Sequence, residues 1–432
     1  MMQCATQTPV CTSGMDCFRA PSYFTMMSTA VRDAVIVGAG PMGSTLALGL
    51  AQRGVDVVLI DARDPSASRH RDGRNFAVVS GSWSLLDSLG ITEALLETSE
   101  PLLGLEAVDG GTHFFGTPSV LFKDDDLGET GEPLGYMVMA EPLQRALDDK
   151  VGTATNIEVL TPALFAELDC QPSRNRITLA DGRRLETRLL IGCDGVKSPV
   201  RQALGIQTEG RDYKKSVVTA NVKLSEPHFG LARQLFTPEG PFATLPLQGD
   251  RANLAWYMKR GAAEALIAMG KDAVEAELNA RFSDFSGTME IEGEAGSYPL
   301  ILQLARSLTG PRAALVGDAV RRVNPLAGQG LNQGMRDVAA LIEVIEDAMR
   351  VGLDIGSGSV LERYSRARHF EGHSSALALD GIDRLFSNDL MLTKPVRTLG
   401  LLAADGVPQL RQFLARMASA REGGVPRLMR RS

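Results

Sequence analysis

The sequence predicts an α/β protein: an open, mostly parallel sheet flanked by helices, a second α+β domain and a helical C-terminal region. Three stretches predict it. DAVIVGAGPMG from Asp33, LLIGCDG from Leu189 and AALVGDA from Ala313 each read as a short apolar strand that runs into glycine, and the last two carry an aspartate there. Short apolar runs bounded by turn residues suit strands buried on both faces. Open sheets of this kind bind ligands just outside the carboxyl ends of their strands.

The first stretch continues as a complete unit. Gly38, Gly40 and Gly43 follow the strand Asp33 to Val37 in GxGxxG spacing. The first permits a tight turn, the second lets a pyrophosphate approach the backbone, and the third lets the helix pack on the sheet. Ala47 and Leu50 continue the helix face, Gly54 ends it, Val55 to Ile60 forms the next strand, and Asp61 stands where an acid can bind a ribose hydroxyl. The unit is Rossmann-like, and on its own it leaves open which dinucleotide is bound. The uncharged run Ala34 to Gln52 is interrupted by Gly38, Gly40, Pro41 and Gly43, so it reads as strand, turn and helix rather than a membrane span.

In the second stretch the strand Leu189 to Gly192 runs into CDGVKSPVR, placing Asp194 and Gly195 at the sheet edge. Ser198 is expected to cap a following helix, with Arg201 in its early turns. Cys193 reads as a small residue packed at the strand end rather than a nucleophile.

The third stretch, GDAVRRVNPLAGQGLN from Gly317 to Asn332, offers what a flavin could use. Asp318 can accept hydrogen bonds from a sugar or ribityl hydroxyl. Gly328 and Gly330 allow close backbone approach. A helix starting near Leu331 would turn its unpaired N–H groups and positive dipole end toward an anionic reduced ring.

Composition bounds the alternatives. The 432 residues, 44% hydrophobic and 22% charged, belong to an ordinary globular chain with a full core. A formal net charge of -7 argues against a nucleic-acid partner. The five cysteines form no CxxC pair, which points to a reducing, cytoplasmic setting without a disulfide framework. His369 and His373 lie four apart, but no third ligand is suggested, so no metal site is expected. His228 reads as a loop or strand-end residue. Residues 1–27 lack an apolar signal core and are expected to be a disordered tail or an upstream-extended start.

Taken together, GAGPMG with Asp61, CDGVKSPVR and GDAVRRVNPLAGQGLN resemble the p-hydroxybenzoate hydroxylase-like flavoprotein monooxygenases, in order and spacing, over nearly the whole chain after Met27. Within that group the sequence is similar to the ubiquinone-biosynthesis hydroxylases. FTPEGPFATLPL from Phe236, AWYM around Trp256, YPL from Tyr298 and DRLFSND from Asp383 carry that likeness. DGRNFAVVSGSWSLLDSLGI from Asp72 looks like their second flavin-contacting segment, with Arg74 as its contact. The resemblance implies FAD as cofactor, Asp318 on the ribityl chain, Pro325 and Gly328 at the reactive flavin edge, and Gly328 to Asn332, including Gly330 and Leu331, along the pyrimidine side. The sequence departs from the pattern where many relatives carry histidine, at Arg321 or Asn324, and where they carry Asn-Arg, at Ala140 and Glu141.

The implied reaction is reduction of FAD by NADH or NADPH, capture of O₂ as a flavin C4a-hydroperoxide, and oxygen transfer to a polyprenylated phenol. Such chemistry needs no Ser/His/Asp triad and no HExxH motif, and the sequence has neither. A hydroxylase of a small soluble aromatic and a flavin-binding accessory protein without turnover stay open as alternatives. The expected flavin domain comprises residues 33–98, 135–210 and 300–351; residues 99–134 and 211–299 form the substrate domain, and 352–432 the helical C-terminal region. From Lys394 onward, eight basic residues against Asp405 and Glu422 alternate with apolar ones. That stretch suits either peripheral contact with the inner face of an anionic membrane or an amphipathic helix packed on the protein. A ubiquinone-biosynthesis protein complex is a further partner that the resemblance raises.

Overall fold

The computed structural model describes residues 31–64, 74–110, 119–123, 133–322, 329–369 and 424–430. Three sheets organise them. In the first, Ala313–Leu315, Arg184–Gly192, Arg32–Val37, Val57–Ile60 and Ile157–Leu160 lie side by side, all parallel. An antiparallel pair, Asn175–Leu179 and Phe165–Cys170, extends from the entry half of Arg184–Gly192. The parallel strands are apolar because both faces are covered: all four residues of Val57–Ile60 are buried. Each fully buried side chain such as Ile36 or Ile191 contributes about 1.5–3 kcal/mol.

Helix Pro41–Ala51 lies between this sheet and the 22-residue helix Gln329–Arg350. Leu46, Leu48 and Leu50 are buried here, and Gly49 lets the two helices meet, since a Cβ there would stand 2.3 Å from Ile342 Cδ1. The long helix begins two residues before the expected Leu331.

The second sheet is antiparallel except at one junction. Its order is Arg321–Arg322, Met289–Ala305, Thr208–Leu224, Arg251–Lys259, Gly240–Leu247, Leu231–Thr237, Gly104–Asp109 and Ser119–Lys123, with Leu231–Thr237 and Gly104–Asp109 parallel. Strand alternation decides its two faces. Val218, Ala220, Val222 and Leu224 pack with Leu254, Trp256 and Met258 against helices Arg260–Ala268 and Lys271–Ser286. Phe242 stacks on Phe282 at 3.9 Å there, and Trp256 meets Phe282 edge-on. The opposite face carries Val217, Tyr257 and Leu300. Asn221 also lies on it, accepting hydrogen bonds from Asn75 and Asn253 at 2.9 and 3.0 Å.

A three-stranded sheet, Asn75–Val79, Gly135–Met139 and Glu100–Leu102, joins the two larger ones. Ala77, Leu102 and Met137 from it pack with Ala232 and Leu247 of the antiparallel sheet. The 17-residue strands Thr208–Leu224 and Met289–Ala305 run across the expected divisions at 210/211 and 299/300, so the two units share strands rather than a linker.

Candidate functional site

The carboxyl ends of four neighbouring parallel strands bring together Gly38, Asp61, Asp194 and Asp318, which lie far apart in sequence. The turn after Arg32–Val37 is held on both sides: the Gly38 N–H donates to Ile60 O at 2.7 Å, and the Cys193 N–H to Val37 O at 2.8 Å. Gly38 has φ +102°, and a Cβ on it would lie 2.4 Å from Cys193 O. A Cβ on Gly43 would lie 1.8 Å from Gly38 O. At Gly40, Gly195 and Gly330 it would meet nothing within 4 Å, so the backbone there is bare to an approaching ligand. Helix Pro41–Ala51 starts at Gly40 with no side-chain cap and with proline in its first turn. Its N-terminal amides and dipole suit a pyrophosphate.

Asp61 braces the turn as well as facing it. Its Oδ2 accepts the Ala39 N–H at 2.6 Å, and its Oδ1 accepts from the Arg63 N–H and Nε at 2.8 and 2.9 Å. Arg63 Nη2 and Gln144 Nε2 both donate to Ala39 O, at 2.7 and 2.9 Å. A carboxylate oxygen accepts more than one hydrogen bond, so Asp61 keeps capacity for a hydroxyl.

Asp194 accepts the Val200 N–H on Oδ2 at 2.9 Å, while its buried Oδ1 has no partner. Burial pushes its carboxyl pKa up, against the pull of Ser198, the Val200 N–H and Arg201. Ser198 caps the short helix Pro199–Ala203 through the Arg201 N–H at 2.9 Å. An acid whose folded pKa is raised favours the fold when protonated and disfavours it once ionised. Asp194→Asn is therefore expected to raise the melting temperature of the apoprotein at pH 8. The gain should vanish by about pH 3, where the aspartate is protonated folded and unfolded alike. Melting curves across that range check it; equal melting temperatures at pH 8 would show that Asp194 carries no such cost.

Asp318 follows the strand Ala313–Leu315 in a single 3-10 turn, Gly317–Ala319. It is exposed yet closely surrounded by protein atoms, the mark of a group on the wall of a concavity. Desolvation by those surroundings pushes its carboxyl pKa up, and the positive charges of Arg322 and Arg74 pull it back. Arg74 stands at the start of Asn75–Val79 with its guanidinium 5.8 Å from the Phe76 ring. Gly330, Leu331 and Asn332 form the first turns of the long helix. The Asn332 side chain serves as a clamp there: Oδ1 accepts the Val79 N–H at 3.1 Å and Nδ2 donates to Ala77 O at 2.7 Å. Pro325, Gly328, Asn324, His373 and the segment Asp383 to Asp389 lie outside the described residues.

Arg321 and Glu141 are engaged within the protein, while His228 and Cys193 keep the loop and strand-end places expected of them. Arg321 is turned inward, 3% exposed, onto Asp337, so it reads no substrate from a pocket surface. Glu141 forms an exposed pair with Arg145 one helical turn on. His228 is a loop brace: Nδ1 accepts the Gly230 N–H and Nε2 donates to Leu247 O and Gly249 O. Burial raises the Cys193 thiol pKa well above its ordinary value, and Asp194 and Asp337 add to the shift, which disfavours the thiolate that a nucleophile needs. At the C-terminal end, Arg427 pairs with Asp347 at 2.9 Å and Val425 and Met429 are buried, so residues 424–430 dock on the protein.

Sequence reasoning missed one staple. Arg201, 6% exposed, donates to Ala319 O and Val196 O, each at 2.8 Å, and so ties the Asp194 loop to the Asp318 turn. Its signal was an arginine in the first turn of a short helix, closing the same segment that opens with Asp194.

Bare glycines, an uncapped helix start, a buried unpartnered carboxylate oxygen and a carboxylate on a recess wall fit FAD laid across the strand ends. No described helix is long and apolar enough to cross a membrane, and no cluster of His, Cys, Asp and Glu among the described residues is placed to hold a metal.

Residues 32–374 match the FAD binding domain family. The chain is 37% identical to the ubiquinone hydroxylase UbiL of Rhodospirillum rubrum over 405 residues, 93% of each protein. It is 34% identical to the 3-demethoxyubiquinol 3-hydroxylase of Escherichia coli, over 88% of this chain and 96% of that one. Among solved structures, the p-nitrophenol 4-monooxygenase PnpA of Pseudomonas putida superposes with a TM-score of 0.72 at 17% identity, over 91% of this chain and 99% of that one, which is a likeness of fold. With the cradle residues present and relatives matched over nearly their full length, the chain belongs to the ubiquinone-biosynthesis hydroxylase family of FAD-dependent monooxygenases.

Proposed function

We propose that the protein hydroxylates the aromatic ring of a polyprenylated phenol in ubiquinone biosynthesis, with NADH or NADPH as reductant and O₂ as oxidant. The observation that carries this reading is the convergence of Gly38, Asp61, Asp194 and Asp318 on adjoining strand ends, together with the names of the full-length relatives. Bound FAD supplies the activation of O₂ and the oxygen transfer. The chain's part is placement and charge. Gly38, Gly40, Gly43 and the helix start behind them hold the pyrophosphate, Asp61 a ribose hydroxyl, and Asp318 the ribityl chain, with Asp194, Gly195 and Arg74 alongside. Gly330, Leu331 and Asn332 bring the positive end of the long helix to the ring, where it favours negative charge. The substrate ring belongs on the face of the antiparallel sheet that bears Asn221 and Tyr257, which excludes water from the reacting edge. We further propose peripheral contact with the cytoplasmic face of the membrane that holds this lipid, and work alongside other ubiquinone-biosynthesis proteins.

Two measurements test this. Cells lacking the protein should accumulate an under-hydroxylated polyprenylphenol, and a normal quinone profile would overturn the substrate. The purified protein should be yellow and oxidise NAD(P)H faster when a phenol is added. Flavin that NAD(P)H never reduces would remove the reaction itself.

A further inference from the structure

Residues 358–369 form a helix outside the parallel sheet; its buried Tyr364 reaches the end of the strand before the Asp318 turn, and its buried Arg368 reaches the carboxylate that holds that turn. The Tyr364 hydroxyl donates to Leu315 O at 2.8 Å, at the end of the strand that leads into Gly317 and Asp318. Arg368 donates through Nε to Asp337 Oδ1 at 2.8 Å and through Nη2 to Gln333 Oε1 at 3.0 Å. Asp337 in turn accepts the Gly317 N–H on Oδ2 at 3.2 Å, and Arg321 Nη1 lies 2.8 Å from both of its oxygens. The side chains of Asp337, Arg368 and Arg321 are 0%, 1% and 2% exposed, and Tyr364 is fully buried. One carboxylate thus gathers two guanidinium groups and the backbone of the turn, away from water, where such contacts are strong and their loss is costly. A helix stretch this deeply buried has no need of Gln333, Asp337 and their partners for packing alone, and apolar residues of similar volume often replace a buried ion cluster without loss of stability.

We infer that Tyr364, Arg368 and Asp337 are positioning residues for the flavin: they fix the Gly317–Asp318 turn from behind, so that retention of FAD depends on the helix 358–369. The inference rests on the reading of Asp318 as a flavin contact, and the test separates the two. Tyr364→Phe removes one hydroxyl, and Arg368→Met leaves Asp337 paired with Arg321, so neither variant strands a buried charge. Asp337 itself is left intact, because its loss would strand two buried cations. FAD titration of each apoprotein should show affinity reduced by about 5–10-fold, with Arg368→Lys restoring part of the loss. Asp318→Ala should weaken FAD on its own, and adding Tyr364→Phe to it should cost little more, because Tyr364 acts through that turn. Wild-type FAD affinity in Tyr364→Phe and Arg368→Met, or full additivity in the double variant, would overturn the inference. Wild-type affinity in Asp318→Ala would instead remove the reading of Asp318.

Discussion

Gly43→Ala is expected to weaken FAD binding by roughly 100-fold or more and to destabilise the apoprotein by about 3 kcal/mol. The added methyl would stand 1.8 Å from Gly38 O and 3.4 Å from Cys193 Cβ. Neither neighbour can retreat. Gly38 is pinned by its hydrogen bond to Ile60 O and by its own closeness to Cys193 O, and the helix behind Gly43 is anchored by the fully buried Leu46 and Leu50. Relief requires lifting the helix off the sheet, which moves its N-terminus away from the place of the pyrophosphate. FAD titration and urea unfolding of the apoprotein measure the two losses. Wild-type FAD affinity in this variant would mean that the cofactor lies elsewhere.

Asp318→Ala should separate binding from stability. Replacing a carboxylate that accepts hydrogen bonds from ligand hydroxyls costs about 1.5–3 kcal/mol, or roughly 10- to 100-fold in FAD affinity. The fold should lose nothing at neutral pH. Desolvation raises the folded pKa of Asp318, so the residue costs the apoprotein stability above that pKa and nothing below the ordinary carboxylate range, where it is protonated folded and unfolded alike. The expected signature is a weakened FAD titration with an apoprotein melting temperature equal to or above wild type at pH 8. A parallel fall in both would make Asp318 a structural residue.

The strand-end positions of Gly38, Asp61, Asp194 and Asp318 were legible because each follows from local rules. Apolar runs mark buried parallel strands, glycine spacing marks a tight turn and a close helix, and the acids come next in the chain. What escaped the sequence depends on partners distant in the chain. Arg201 meets Ala319 across 118 positions, and Tyr364 meets Leu315 across 49. Arg321 stood out only as a departure from the histidine that many relatives carry at this place; in the fold it is drawn inward by Asp337, whose carboxylate also offsets the nearby Arg368. A signal for this was present. Gln333, Arg336 and Asp337 fall within a helix stretch that is buried on every side, where polar residues require partners. Asn332 was read for its place at a helix start, and its amide is spent on the backbone of Asn75–Val79.

The two shared strands, Thr208–Leu224 and Met289–Ala305, link the two larger sheets through continuous backbone. They leave the cofactor side as a paired ribbon, shift register between Asp212 and Ser216, and continue into the antiparallel sheet. Lys214 sits in that interruption with φ +58°. Such a bulge bends the ribbon and raises its twist, and a second register shift follows between Thr219 and Asn221. Two hydrogen-bonded backbones, rather than a loop, therefore carry any displacement of the antiparallel sheet to the side where the parallel strands end.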